Sequence, residues 1–540
     1  MPFNKRITII DSKFSINFFF LAIVLLFLIT RLTHLTALPI FNDEAIYISW
    51  AKMIKEDIHN ILLPLLVESK KPLLMWLITL FLNIFQDSLW ASRFVSVIAG
   101  FFSLIGIYLI GIRIHSESVG YLSALFYAVS PYFLFYDRMA HQDSLLNCFF
   151  VWLLLLSLII FQHKEKIKVP YFGALGFVIG LSLLAKSSAI LFVFLPFLLK
   201  LIFLKKSTFV AWKSLFSSYI FGLLIAASPY VSLFLLTSAN FSIKNILIPT
   251  QTSLGQKSLT GILVKIPENI YQSIDAPVDY FITYLTLPVF FVAGIFFIFQ
   301  FSIFNKKYFI LLLFFFIPFI TTLGIGGEGF SRYYLFCGIP IVLWAALAFN
   351  YGVSFLKKRF SRKTFYGTIF FLSLIFLFPS LFFNYRLLTK PSEAPFIGRD
   401  YSQYVSSKFS GYGIPEALDY FKKVSGEKKI TIFTSSNWGN PADAIYVHLS
   451  DDPNIKVYTA FWVFKSELLP SGVQKIKLFQ RFTGKGIDVI DVSNPSEIYF
   501  ICRSPDFKRN AFLQINRNFQ LVRSFRKPNS TIFIDIYKRI

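Results

Sequence analysis

Apolar runs of roughly twenty residues, separated by short polar stretches, recur along the chain up to about position 384. They fall near 14–37, 90–112, 118–137, 144–162, 170–186, 188–204, 214–237, 279–303, 308–326, 333–352 and 365–384. Crossing a hydrocarbon core as a helix takes about 20 apolar residues, so the pattern predicts about eleven transmembrane helices. One run does not fit: 73–85 has only about thirteen apolar residues, and counting it as a span would invert the charge pattern of the loops that follow. It reads as a helix lying at, or re-entering, the outer interface. Beyond 384 the pattern changes to a mixed polar segment of about 155 residues, the length of one ordinary domain. Short β-rich runs at 429–434, 456–462, 497–502 and 531–537 alternate there with helix-like stretches at 415–424 and 441–449, which predicts a small α/β domain. The stretch 390–413, rich in Gly, Pro, Ser and Tyr, reads as a linker near the membrane surface.

The expected fold is therefore a polytopic α-helical membrane domain over 1–384 with a soluble α/β domain over 385–540. Composition agrees, because 55% hydrophobic residues, 68 Phe and a mean hydropathy of +0.61 leave too little polar surface to cover a soluble protein of 540 residues. The net charge of +24 does not require a nucleic-acid partner. Basic residues gather at Lys164/Lys166/Lys168, Lys205/Lys206/Lys213, Lys306/Lys307 and Lys357/Lys358/Arg359/Arg362/Lys363, in every second connection, which marks the cytoplasmic side. Lys5, Arg6 and Lys13 precede the first run, and no small-residue cleavage site closes it, so it reads as a retained anchor. The N-terminus is then cytoplasmic. The C-terminal domain and two larger loops, about 38–89 and 238–278, are extracytoplasmic, in the plasma (inner) membrane of a prokaryote. Cys148, Cys337 and Cys502 form no framework of spaced pairs.

Most charges outside the basic loops sit at the opposite, outer ends of the runs: Asp43, Glu44, Lys70, Lys71, Arg138, Asp143, Lys186, Glu328 and Arg332. Each has a plain structural reading beside a chemical one. Asp43 and Glu44 open a helix-like run in which Asp43 and Tyr47 share a face; a carboxylate there serves as a general base or simply caps the helix. Lys70 and Lys71 suit a phosphate, or anionic head groups. Asp143, with Asp137, Arg138 and His141 nearby, is a costly charge at a span entrance, and an internal ion-pair cluster or a helix cap made by Asp143 is its alternative. His141 without spaced partners is weak evidence for a metal. Lys186 and Arg332, followed by Tyr333, interrupt apolar stretches at outer turns, where long basic side chains also snorkel.

Taken together these segments resemble the GT-C class of polyprenyl-phosphate-dependent glycosyltransferases, specifically the protein O-mannosyltransferase and lipid A aminoarabinose transferase group. Asp43-Glu44-Ala45-Ile46-Tyr47 is similar to the group's Asp-Glu-Ala-x-Tyr signature, and Lys71-Pro72-Leu73-Leu74 to its Lys-Pro-Pro-Leu. Arg93 falls where an Arg often starts the next span. Arg138 with Asp143 resembles Arg-x-x-x-x-Asp-x-x-Leu, Lys186 closes a Gly-Leu-x-x-x-x-Lys turn, and Arg332-Tyr333 resembles a late Arg-Tyr pair. There are departures: Ile46 stands where many relatives have Arg, Leu73 replaces the second Pro, and Lys70 occupies a position often held by Glu. That Glu joins a metal site in the aminoarabinose branch, so no metal-binding residue is assigned here, and a divalent cation is left open as a cofactor.

The resemblance implies transfer of a sugar from a polyprenyl phosphate to a protein, lipid or glycan hydroxyl outside the cytoplasm, with inversion. Asp43, Glu44 and Asp143 are the expected catalytic residues and Lys71, Lys186 and Arg332 the donor-phosphate ligands, with Tyr47, Lys70, Arg138 and Tyr333 as further substrate contacts. Two other readings remain from the residues alone: a glycolipid transporter or flippase, and a noncatalytic glycan-binding surface-assembly protein. Against transport, the charges gather at one face and not at mid-depth.

Overall fold

The computed structural model describes residues 18–162, 169–203, 209–237, 259–303, 305–325, 329–426, 428–434, 438–459, 462–463, 475–480, 488–491, 497–506 and 518–540. Glu328, the basic clusters at 164–168 and 205–206, and 238–258 of the second outer loop lie outside them.

The chain is a multi-pass helical membrane protein. Six helices among the described residues are long and apolar enough to cross a bilayer: Ser88–Ile114, Gln142–Phe161, Trp212–Leu233, Lys306–Ile325, Ser331–Arg359 and Arg362–Thr389. The expected runs at 14–37, 170–186 and 188–204 appear as the shorter apolar helices Phe18–Leu32, Val169–Ala185 and Ser187–Ile202. The interfacial run at 73–85 forms the nine-residue helix Leu73–Phe81, too short to cross.

Two expected spans are broken. The run at 118–137 divides into Glu117–Val129 and Pro131–Asp137, bent by 64°. Pro131 has no N–H and pushes Ser130 out of the helical region, to φ −64 and ψ 124. The run at 279–303 divides into Lys265–Tyr284 and Leu287–Ser302, bent by 116°, with Thr286 at φ 74 and Pro288 opening the second piece. The two breaks meet, with Ser130 Oγ donating to the Tyr284 carbonyl at 3.3 Å.

Packing between spans uses small residues, as expected where lipid removes the hydrophobic gain from helix association. A Cβ on Gly176 would come within 2.5 Å of the Ser218 carbonyl, so the Val169–Ala185 and Phe209–Thr237 helices meet backbone to backbone.

The C-terminal region holds a mixed five-stranded sheet in the order Ile455–Tyr458, Ile430–Thr434, Ile498–Arg503, Phe533–Arg539, Phe519–Arg526. The first three strands are parallel and the last two join antiparallel. The helices Ile414–Ser425 and Ala442–Leu449 pack on it, close to the expected positions. The stretch 390–413 is not the linker its composition suggested. Phe396, Tyr404 and Val405 are buried in the same apolar core as the membrane helices, and Tyr404 packs on Phe41 and Phe135 at ring separations of 4.9 and 4.8 Å. Its tyrosines and phenylalanines supply the buried area that a free linker lacks.

Candidate active site

Two helices that begin at one end of the bundle carry the central carboxylates. Asp43 lies in the first turn of Asn42–Glu56 and Asp143 in the first turn of Gln142–Gln162. A carboxylate is favoured there by the unpaired N–H groups and the helix dipole. Arg332 comes from the 3-10 turn Ser331–Cys337 that opens the next span, and Lys186 from the break after Val169–Ala185.

These four side chains and His141 form one ion cluster. Arg332 Nη1 donates to Asp43 Oδ2 at 2.9 Å and lies 2.8 Å from His141 Nε2. A guanidinium has only donors, so Nε2 accepts and the ring proton sits on Nδ1, directed at Asp143 Oδ2. Asp43 Oδ2, 3.3 Å from the same Nε2, therefore receives its hydrogen bond from Arg332. Lys186 Nζ closes the chain on Asp143 Oδ1 at 2.6 Å. Tyr333 lies under both cations, 5.2 Å from Lys186 and 5.5 Å from Arg332, and the Tyr47 ring meets His141 edge-on at 5.8 Å. Exposure separates the carboxylates: the Asp43 side chain is 26% accessible and that of Asp143 is 1%. Only Asp43 is open to an incoming molecule. Burial works to raise its carboxyl pKa, but Arg332 above all, with Lys70 beyond it, outweighs burial and holds it well below the ordinary carboxylate range. It is ionised throughout the physiological range.

Several expected site residues turn elsewhere. Glu44 is buried and saturated: Arg93 reaches its two oxygens at 2.9 and 2.7 Å, and the N–H groups of Phe41 and Ala140 donate at 3.0 and 2.7 Å. It joins the loop to the next span and has no oxygen left for chemistry. Arg138 donates to the carbonyls of Thr30, Arg31, Thr33 and His34, so it closes the C-terminal end of the Phe18–Leu32 helix and not a substrate site. Asp143, with His141 and Lys186 on its oxygens, orients those two groups. The Lys71 ammonium donates to Tyr230 Oη at 2.7 Å and stands 4.9 Å over that ring, while its carbonyl accepts from Gln142 Nε2 at 3.0 Å. Burial lowers the Lys71 pKa to about 8. Lys70, by contrast, is part-exposed, lies 3.8 Å from Glu68, and adds its charge to the fields at Asp43 and Lys186.

His141 is the member that sequence reasoning undervalued, having weighed it as part of a structural ion-pair cluster around Asp143 or as a metal ligand and not as a site residue. Its neighbour Asp143, two positions on, was the one available signal. Among the described residues no group of three or more His, Cys, Asp and Glu side chains is placed to hold a metal ion. Asp43 and Asp143 are neutralised by Arg332 and Lys186.

Residues 69–233 match the family described as dolichyl-phosphate-mannose-protein mannosyltransferase. No curated protein sequence matches the chain. Among solved structures, the apo oligosaccharyltransferase of Archaeoglobus fulgidus superimposes with a TM-score of 0.51 at 12% identity, over 83% of this chain and 65% of that one. The same enzyme with zinc and sulfate gives 0.50 at 13%, over 79% and 61%. ArnT from Cupriavidus metallidurans bound to undecaprenyl phosphate gives 0.49 at 13%, over 71% and 66%. In each case the chain spans less than two thirds of the solved protein. The oligosaccharyltransferase likeness shows a shared fold, and with the family match it bears out the GT-C resemblance drawn from the motifs.

Proposed function

We propose that this protein is a membrane glycosyltransferase that moves a sugar from a polyprenyl-phosphate donor to an acceptor hydroxyl on the outer side of the plasma membrane. The observation that carries this reading is the pairing of Asp43 with Arg332: one solvent-open carboxylate at the edge of a buried group of cations. A polyprenyl-phosphate sugar has a leaving group that is stable as an anion and needs no acid. Two tasks remain: a base for the acceptor proton and positive charge for the departing phosphate.

Asp43 is the base. It takes the acceptor's proton as that oxygen forms its bond to the anomeric carbon, and the bond from that carbon to the phosphate oxygen breaks. The single displacement inverts the anomeric centre. Arg332 and Lys186, held in place before the reaction by Asp43, His141 and Asp143, meet the developing phosphate charge, with Lys70 at the rim. Lys71 sits deeper, against Tyr230 of the largely lipid-facing Phe209–Thr237 helix, where a phosphate attached to a lipid tail would arrive. Tyr333 offers an aromatic face beside both cations for the sugar. The acceptor is a protein, lipid or glycan hydroxyl.

A panel of radiolabelled polyprenyl-phosphate sugars, presented to purified protein with membrane extracts as acceptor, tests this reading. One donor is expected to label a product, and Lys186→Ala is expected to cut the rate by about 100-fold. Absence of label from every donor with folded protein would remove the transferase reading.

A further inference from the structure

Asp43 is the second residue of its helix, and the residue before it is held from the far end of the chain. The Asn42 N–H donates to the Phe409 carbonyl at 3.1 Å, and Asn42 Oδ1 accepts the backbone N–H of Asn440 at 3.0 Å. Asn440 Nδ2 donates in turn to the carbonyls of Ile40 and Phe409, at 2.9 and 3.2 Å. Both asparagines are buried. The approach is close enough that a Cβ on Gly439 would overlap the Asn42 amide, and Gly439 itself has φ +85, which glycine adopts without strain. Arg332, the other member of the ion pair, is approached from the same part of the chain. Asp400 accepts from Tyr284 Oη at 2.9 Å and faces the hydroxyl and backbone N–H of Ser331, the residue before Arg332.

Docking of the C-terminal domain alone does not require the Asn440 contacts. The same helix is already fastened at its other end, by Lys52 on Asp451 at 2.8 Å and by Tyr446 Oη on Glu56 at 2.8 Å. What Asn440 adds is a fixed start for the helix. Residues 40 and 42, on either side of the turn into it, are both tied to one side chain and its backbone. A carboxylate that must meet a hydroxyl in line with a leaving phosphate is sensitive to such placement, and a shift of about 1 Å costs about 100-fold in rate.

We infer that Asn440 is a positioning residue for Asp43, acting through Asn42, so that the C-terminal domain completes the active site. This rests on the transferase reading above.

The test uses the full-length protein in lipid nanodiscs. Wild type, Asn440→Asp, Asn42→Ala, the double variant and Lys52→Met are compared by amide hydrogen exchange over 40–47 and by transfer kinetics. Asn440→Asp keeps the volume but removes both Nδ2 donors; Asn42→Ala, the milder change, removes only the acceptor. Each single variant is expected to speed exchange at 42–45 by at least about tenfold. Each is expected to lower kcat by about 10- to 100-fold while donor KM stays within about threefold. The two substitutions remove different hydrogen bonds of one connected contact, so their effects couple and the double variant should lose less than the product of the two single losses. Lys52→Met should keep wild-type kcat and exchange at 42–45. Unchanged exchange at 42–45 overturns the inference. So does a kcat loss matched by Lys52→Met, or one that multiplies in the double variant. Should the wild type itself transfer nothing, the transferase reading fails, while the exchange data still decide whether Asn440 holds the start of the helix.

Discussion

Arg332 connects two jobs that pull on it from opposite sides: it holds Asp43 ionised, and it presents charge to a phosphate. Arg332 meets Asp43 and His141 through Nη1 alone, which leaves the rest of the guanidinium for a phosphate, whereas a lysine keeps the charge but has one nitrogen for all three. Arg332→Lys is therefore expected to lower kcat by about 10- to 100-fold, read from transfer rates at saturating donor. Lys71 gives a pH signature. Its ammonium, lowered to about 8 by burial, loses its proton as pH rises through that value, so donor affinity should weaken above pH 8. Donor KM measured from pH 7 to pH 9.5 is expected to rise in wild type and to stay flat in Lys71→Arg, whose charge persists over that range. At this scale the sequence showed which charges are out of place but not which way they face. Asp43 and Glu44 are adjacent, and a helix turns consecutive residues about 100° apart, so one reaches the opening and the other the Arg93 pair. Nothing in the motif distinguishes them until the next span is packed.

The elements are joined by buried charge pairs with structural work to do. Glu44 and Arg93 tie the Asn42–Glu56 helix to the Ser88–Ile114 span, with both side chains shielded from solvent. Removing one partner leaves the other charge buried and unpaired, which costs about 3–5 kcal/mol. Arg93→Met should thus lower the thermal unfolding midpoint markedly in detergent, and Glu44→Gln, which keeps a hydrogen-bonding amide, should lower it less. Hydrophobic patterning placed the apolar spans well because lipid exposure demands long apolar runs. The breaks at Ser130 and Thr286 were not legible in the same pattern, since each run stays apolar through its bend. Proline alone does not mark them either: Pro229, Pro318 and Pro379 sit inside helices that continue. What separates Pro131 is the polar company gathered at the bend, where Tyr132 and Tyr136 reach Ser331 at 2.5 and 2.6 Å.

Across the whole molecule, one end of the helix bundle and the C-terminal sheet domain share a buried apolar cluster, edged by the polar contacts of Asn42, Lys52 and Glu56. The 390–413 stretch was misread because Gly, Pro and Ser suit a linker, whereas burial of its aromatic residues depends on partners more than a hundred positions away, such as Phe135 and Phe41. The central claim is that Asp43 removes the acceptor proton in a transfer from a polyprenyl-phosphate sugar. The most direct test is single-turnover transfer by purified protein in nanodiscs, comparing wild type with Asp43→Asn at equal folded concentration. Loss of the base predicts a fall of about 10²- to 10⁴-fold with donor binding retained. Transfer by Asp43→Asn at the wild-type rate would contradict the account.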